Sequence, residues 1–239
     1  MPKKEIQDLE KLDKTLARIE KRFSKKLDSY YSQLENEALK KVSKFKPGNE
    51  IKIADSKQAG LENLFRNHFK NIERVTTEFT KNELSGIFNK SDDLEKIRLL
   101  KLDKMNKYNI KYAKELSVKQ VQDYQDKIKD TLTNALKTNP NLSTKELKEL
   151  VKRDTQSFKN TRVDTTSTTE ATRVKNESKI ELYKKMNLKK VRFIMTREKY
   201  LKKINCKCEL YNQKVFFINS PNLPSIPQHP NCACEFIPA

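Results

Sequence analysis

Apolar residues in the first third of the chain recur at steps of three and four. Leu9, Leu12, Leu16, Ile19, Phe23, Leu27, Tyr30 and Leu34 form one stripe with Lys and Glu between them, and Leu39, Val42 and Phe45 extend it. This spacing places them on one face of a long amphipathic helix. Pro47-Gly48 stops it, since proline lacks an amide proton and glycine admits left-handed backbone. A lone helix of this length is unstable in water, so its stripe must pack on another helix of this chain or of a neighbouring subunit. A second stripe, Leu61, Leu64, Phe65, His68, Phe69, Ile72, Val75 and Phe79, is the most apolar in the chain. Helical spacing returns over Leu94 to Leu102 and again through Tyr108, Tyr112, Leu116, Val121, Tyr124, Ile128, Leu132 and Leu136. The tyrosines read as stripe residues that fill a core. His68, with no Cys or second His near it in sequence, reads as a hydrogen-bonded core residue.

Asn139-Pro140-Asn141 breaks the pattern, and Ser143 with Glu146 forms a capping box that opens the next helix. Its stripe runs through Leu147, Leu150 and Val151 and resumes at Val163, Ala171, Val174, Ile180, Leu182 and Tyr183. The cluster Thr165 to Thr169 predicts a break or distortion, because β-branched hydroxyl residues compete with the helical backbone. After Met186 the period changes to two. Val191 to Met195 and Lys214 to Ile218 read as strands, with Glu235 to Ile237 as a short third. The predicted fold is α+β and predominantly α. An elongated N-terminal helical region, residues 1–138, supplies partner contacts, and a small helix-plus-β-sheet domain, residues 139–239, follows it.

Composition fits that picture: 35% hydrophobic against 35% charged, no Trp and three Gly suit helices with narrow apolar stripes rather than one large core. The N-terminal Met1-Pro2-Lys3-Lys4-Glu5-Ile6 lacks the apolar run of a signal peptide, and no stretch approaches a bilayer span. We therefore expect no membrane association and a cytoplasmic site of synthesis. The net charge of +19 is uneven: between Val151 and Lys207, 17 Lys and Arg face 6 Asp and Glu, a net of +11. Such a segment favours a polyanion through counterion release, and the expected DNA-facing residues are Arg173, Lys175, Lys179, Lys184, Lys185, Lys189, Lys190 and Arg192. The competing reading is a solvated helix face.

All four cysteines and one of the two histidines fall in the last forty residues, as Cys206-Lys-Cys208, then His229-Pro-Asn-Cys232-Ala-Cys234. A strand-bearing excursion that returns a second ligand pair to the first is how small zinc knots close, with four N or S donors in a tetrahedron. The candidate ligands of Zn²⁺ are Cys206, Cys208, His229 and Cys232. Cys234, two positions along a strand and so on the same side as Cys232, is an alternative to any one of them. Disulfides between the clusters and free thiols are the competing readings, the first disfavoured in a reducing compartment.

Cys208-Glu-Leu-Tyr-Asn-Gln-Lys214-Val215-Phe216, followed by Leu223-Pro-Ser-Ile-Pro-Gln-His229-Pro-Asn-Cys232-Ala-Cys234, resembles the end of the phage head morphogenesis domain. This is the family of minor head proteins (Mu F-like, SPP1 gp7-like) whose domain closes with Cys-x-x-Cys, an Asp-Gly-Lys-Val-Phe turn and a His-Pro-Asn-Cys-Arg-Cys. Arg162-Val-Asp164-Thr-Thr166 is similar to the family's Arg-Thr-Glu-Thr element. The resemblance covers residues 140–239. The first cysteine pair is one residue shorter here, Asn212-Gln213 stands for Asp-Gly, and Ala233 for Arg. Asn212 can supply the left-handed residue of the turn. Arg162 and Asp164 read as an ion pair holding helix to sheet.

The resemblance implies a structural, non-enzymatic virion protein, a minor capsid component in the capsid interior. It would be docked on the portal protein and other head proteins, assist head assembly or DNA delivery, touch DNA non-specifically, and pass through the host cytoplasm during assembly. Two rival classes remain: an enzyme, toxin-like or hydrolytic, using Arg162, Asp164 and His229 on the same scaffold, and a free-standing zinc-bearing nucleic-acid binder.

Overall fold

The computed structural model describes residues 3–88, 90–195 and 207–239, with the side chains of residues 3–10 and 103–106 outside the description. Within it the chain forms five helices, α1 Lys3–Lys41, α2 Asp55–Ile87, α3 Ser91–Leu99, α4 Asp103–Thr138 and α5 Thr144–Lys185. Three strands follow, β1 Lys190–Ile194, β2 Val215–Phe217 and β3 Glu235–Pro238. The architecture is α+β and mainly α, as the periodicity predicts. No helix among the described residues is long and apolar enough to cross a membrane.

Helix ends follow local chemistry. α1 runs out through one 3-10 turn, Val42–Lys44, ahead of Pro47 and of Gly48 at φ 95°, a backbone region that L side chains rarely adopt. α5 begins with the expected capping box: the Ser143 amide donates to Glu146 Oε2 at 2.7 Å, and the Glu146 amide donates to Ser143 Oγ at 3.3 Å. The Ser143 hydroxyl, which donates to the same carboxylate oxygen at 2.6 Å, and then the Ser143 amide hold the Glu146 carboxyl below its ordinary pKa. The break expected at Thr165 to Thr169 does not occur, and α5 is continuous. Its hydroxyls serve tertiary bonds instead: Thr168 Oγ1 donates to Glu20 at 3.4 Å, and Thr169 Oγ1 accepts from the Asn231 amide at 3.1 Å.

The residues group into two compact units, each discontinuous in sequence. One comprises Met1–Arg22, His68–Asn109 and Thr165–Ala239, the other Phe23–Asn67 and Ile110–Asp164. This differs from a sequential division near residue 139, because α1, α2, α4 and α5 each contribute residues to both units.

The core of the second unit is mainly helical, with Ile51 and Ile53 added from the segment between α1 and α2. Leu27, Tyr31 and Leu34 of α1, Leu61 and Phe65 of α2, Tyr124, Ile128 and Leu132 of α4 and Val151 of α5 are fully buried, each contributing about 1.5–3 kcal/mol by leaving water. Rings meet at Phe23–Phe65 (5.5 Å between centroids), Tyr31–Tyr124 (5.4 Å) and Tyr124–Phe158 (5.9 Å). α1 and α2 approach closely at Gly60, where an added Cβ would lie 3.2 Å from the Tyr30 ring.

The first unit carries the sheet, ordered β2-β1-β3 and wholly antiparallel, with Val191 opposite Phe216 and Phe193 opposite Phe236. One face of it, Val191, Phe193 and Phe236, packs into a core with Leu84 of α2, Ile97 of α3, Leu182 and Tyr183 of α5, and Cys208, Cys232 and Cys234. The Phe193 and Phe236 rings meet edge to face at 5.8 Å. His68 is buried here, and desolvation lowers its pKa to about 3, so the imidazole is a neutral core group.

Candidate metal centre

Three local devices bring the thiols together. Cys208 lies in a 3-10 turn, Lys207–Leu210. A reverse turn follows in which the Lys214 amide donates to the Tyr211 carbonyl at 2.9 Å. Gln213 at φ 64°, rather than Asn212, takes the left-handed conformation, because the third position of such a turn needs positive φ. Asn212 instead accepts from the Met195 amide through Oδ1 at 3.2 Å, tying the turn to the end of β1.

The last segment is held by one polar stripe of α5. Thr169, Thr172, Asn176 and Lys179, spaced three or four apart, fall on one helix face. Thr169 Oγ1 accepts from the Asn231 amide and Thr172 Oγ1 donates to the Cys232 carbonyl at 2.7 Å. Asn176 Nδ2 donates to the Cys234 carbonyl at 2.9 Å, and its Oδ1 accepts from the Phe236 amide at 2.9 Å. Lys179 donates to the Phe236 carbonyl at 3.2 Å. Asn231 at φ 61° turns the chain so that the Cys232 amide donates to the His229 carbonyl at 3.1 Å.

The product is a cluster in which the donor atoms of Cys208, His229 and Cys232 all lie within 4.8 Å of one another. The two sulfurs are 3.8 Å apart, and two thiolates about 2.3 Å from one tetrahedral ion sit about 3.8 Å apart. His229 Nδ1 donates to the Pro230 carbonyl at 2.8 Å, the kind of backbone contact that orients metal-bound histidines. Cys234 reaches both Cys232 and Cys208 and supplies a further thiol. Cys206 lies outside the described residues. The three described cysteines are free thiols, so no disulfide joins them.

The electrostatics suit one thiolate held in place. Hydrogen bonding from the Cys234 thiol, with the Cys234 and Gln228 amides and Cys208 assisting against desolvation, lowers the pKa of Cys232 to about 5. The neighbouring Cys234 is driven upward, first by that same hydrogen bond and then by burial. Cys232 thus takes the charge while Cys234 keeps its proton, the state from which a cation would displace it.

The basic segment is a different matter. Arg173, Lys175 and Lys179, expected to face DNA, are buried at 7%, 3% and 1% exposure. Arg173 donates to Glu170 at 2.8 Å and to Asn109 at 3.1 Å, pairs with Glu177, and lies over the Phe69 ring. Lys175 bridges Asp13 (3.6 Å) and Glu235 (3.4 Å), and Lys179 bridges Glu83 (3.5 Å) and Glu235 (3.3 Å). Burial pushes the Glu235 carboxyl up, but the two ammonium groups outweigh it and hold its pKa down. These three cations neutralise buried acids and are not available to a phosphate backbone. Lys184, Lys185, Lys189 and Lys190 are exposed and Arg192 is half-buried, so of the eight expected residues the accessible ones run from the end of α5 into β1.

Arg162 does pair with a carboxylate, but it is Asp123 of α4 at 2.7 Å. Asp164 stands exposed two residues along α5, and side chains two apart on a helix do not face each other. The Arg162 pair therefore joins helix to helix rather than helix to sheet.

Sequence reading missed Glu235 and the α5 stripe, although the signal was present: no apolar residue falls at 169, 172, 176 or 179, a row too regular for an idle surface. Compared with known proteins, the chain matches no family model, no curated protein and no solved structure.

Proposed function

We propose that the chain is a minor head protein of a tailed phage, a structural virion component associated with the portal in the head interior, in which a zinc ion staples the C-terminal sheet. One observation carries the reading. Three of the residues that resemble the closing element of the head morphogenesis family, Cys208, His229 and Cys232, gather into one thiol–imidazole cluster, and Cys208, Cys232 and Cys234 lie in the core of the sheet-bearing unit with Phe216 packed against it. A resemblance confined to surface loops would carry less weight than one whose residues depend on one another in the fold. Cys208, Cys232 and His229, completed by Cys234 or Cys206, are the zinc ligands in this reading, since a set of soft sulfur donors with one imidazole suits Zn²⁺ above harder cations. Non-specific DNA contact falls to Lys184, Lys185, Lys189, Lys190 and Arg192.

Purified heads test the assignment: the protein is expected in them and with sedimenting portal, and its absence from both ends the reading. Metal analysis tests the staple separately. About one zinc per chain is expected, lost when Cys208→Ser and Cys232→Ser are combined; a zinc-free parent, or unchanged zinc in the variant, rules the staple out.

A further inference from the structure

The sheet has two outer edges, and the fold treats them differently. Along β3, α5 stands in for a missing strand: Thr172, Asn176 and Lys179 bond the backbone from Cys232 to Phe236. Along β2 no such cover exists among the described residues. Alternate residues of an antiparallel ladder turn their backbone groups toward the neighbour. The Phe193 amide bonds the Lys214 carbonyl and the Ile218 amide bonds the Lys189 carbonyl, each at 3.0 Å, with Val191 opposite Phe216. Positions 214, 216 and 218 therefore face β1, and Val215 and Phe217 face outward. The Phe217 carbonyl accepts from the Ser220 amide at 3.0 Å, which leaves the Val215 N–H and C=O and the Phe217 N–H as an edge open among the described residues.

The side chains on this edge are also uncovered. Val215 is 46% and Phe217 60% exposed. Across the sheet they stand opposite Arg192 and Lys190, and the Lys190 ammonium lies 5.0 Å above the Phe217 ring. Lys189, Lys207 and Lys214 are exposed in the adjoining segments, where Glu209 is the one acid among the described residues.

We propose that β2 is a docking edge for an extended acidic segment of a partner protein. The segment adds as a fourth strand, lays alternate apolar side chains on Val215 and Phe217, and sets carboxylates against the basic rim. Charge selects this occupant. A second copy pairing β2 with β2 brings two basic rims together. A nucleic-acid strand makes no use of an outward N–H and C=O pair and finds the exposed ring already capped by Lys190.

Fluorescence anisotropy of the full chain with a labelled peptide of alternating Glu and Val tests the proposal. Saturable binding is expected, with no binding of the matching Lys and Val peptide. N-methylation of the Glu/Val peptide along one edge should weaken binding about tenfold or more through lost backbone bonds. Phe217→Ser should weaken it about tenfold, and Val215→Pro about threefold or more, because that amide faces away from β1 and its loss spares the ladder. Circular dichroism and thermal melting of both variants check folding, and the N-methylated peptide needs no variant. Four results overturn the proposal: no saturable binding up to about 1 mM peptide; equal binding of the Lys/Val or N-methylated peptide; displacement by oligothymidylate with both variants unimpaired, which marks a nucleic-acid surface; or a dimer in sedimentation that Val215→Pro abolishes, which marks a second copy as the occupant.

Discussion

Both units have apolar cores, but they differ in what else they bury: the sheet-bearing unit adds a row of paired charges along α5. In the helical unit the buried positions are Leu27, Tyr31, Leu34, Leu61, Phe65, Tyr124, Ile128 and Leu132, and their attraction is non-directional and indifferent to pH. In the sheet-bearing unit α5 carries Arg173, Lys175 and Lys179 inside, matched to Glu170, Glu177, Asp13, Glu83 and Glu235. Buried charges repay their desolvation only while every partner is present and ionised. One unit is therefore stable largely without regard to protonation and the other conditionally on it, and also on a bound ion if the thiol cluster holds one.

Single deletions in each core are expected to have the largest effects. Glu235→Ala leaves two ammonium groups without their shared buried carboxylate and should cost about 3–5 kcal/mol. Phe65→Ala opens a cavity in the helical unit and should cost a similar ~3–5 kcal/mol. Urea titrations followed by circular dichroism at two pH values separate the two causes. The Glu235 carboxyl is held below its ordinary value of 4.5, so its contribution is complete above that pH and fades as pH falls through the lowered value. The cost of Glu235→Ala should therefore shrink in acid while that of Phe65→Ala stays constant. Equal pH dependence of the two would erase the distinction between the units.

Metal removal comes next in size. If the cluster holds zinc at about a hundred times its dissociation constant, stripping the ion removes about 2.7 kcal/mol. Hydrogen exchange after chelation should then deprotect β1, β3 and the α5 residues Thr172 to Tyr183, while amides around Tyr31 and Ile128 keep their protection. Uniform loss across both units, or no loss in either, contradicts a staple that acts on the sheet-bearing unit.

What could be read from the sequence follows the same division. The helices of the helical unit were legible because its core is a repeat of large apolar side chains at helical spacing, and because Pro47-Gly48 follows the end of α1 and the Ser143–Glu146 box opens α5. The three strands were legible from alternation in short runs bounded by turn residues. The discontinuous units were not, because a helix that serves two cores has one unbroken stripe and no local mark where its neighbours change. Lys175 and Lys179 were read as surface because their partners, Asp13, Glu83 and Glu235, lie far away in sequence, and Arg173 because its partners Glu170 and Glu177 have the spacing of any exposed helical ion pair, so that charge alone does not reveal burial. The Cys and His cluster could be located from spacing, but its geometry depends on Thr172 and Asn176, whose role appears only once α5 lies along β3.

The smallest and most discriminating test concerns Glu177, where the conditional stability runs in reverse. Desolvation raises its pKa, Arg173 opposes the rise, and Glu170 and Glu73 add to it. Above the raised value its ionised carboxylate is worse off in the folded protein than in the unfolded chain, and this cost disappears as pH falls below about the ordinary 4.5. Glu177→Gln should therefore raise the urea midpoint slightly at pH 7, with the advantage gone near pH 4.5. Glu170→Gln, at the fully buried side of the same guanidinium, should lower it at pH 7 by removing the partner that balances the Arg173 charge. A loss of stability in Glu177→Gln at neutral pH would mean that Arg173 needs both carboxylates. The sheet-bearing unit would then hold a balanced ion network rather than one with a surplus of buried acid.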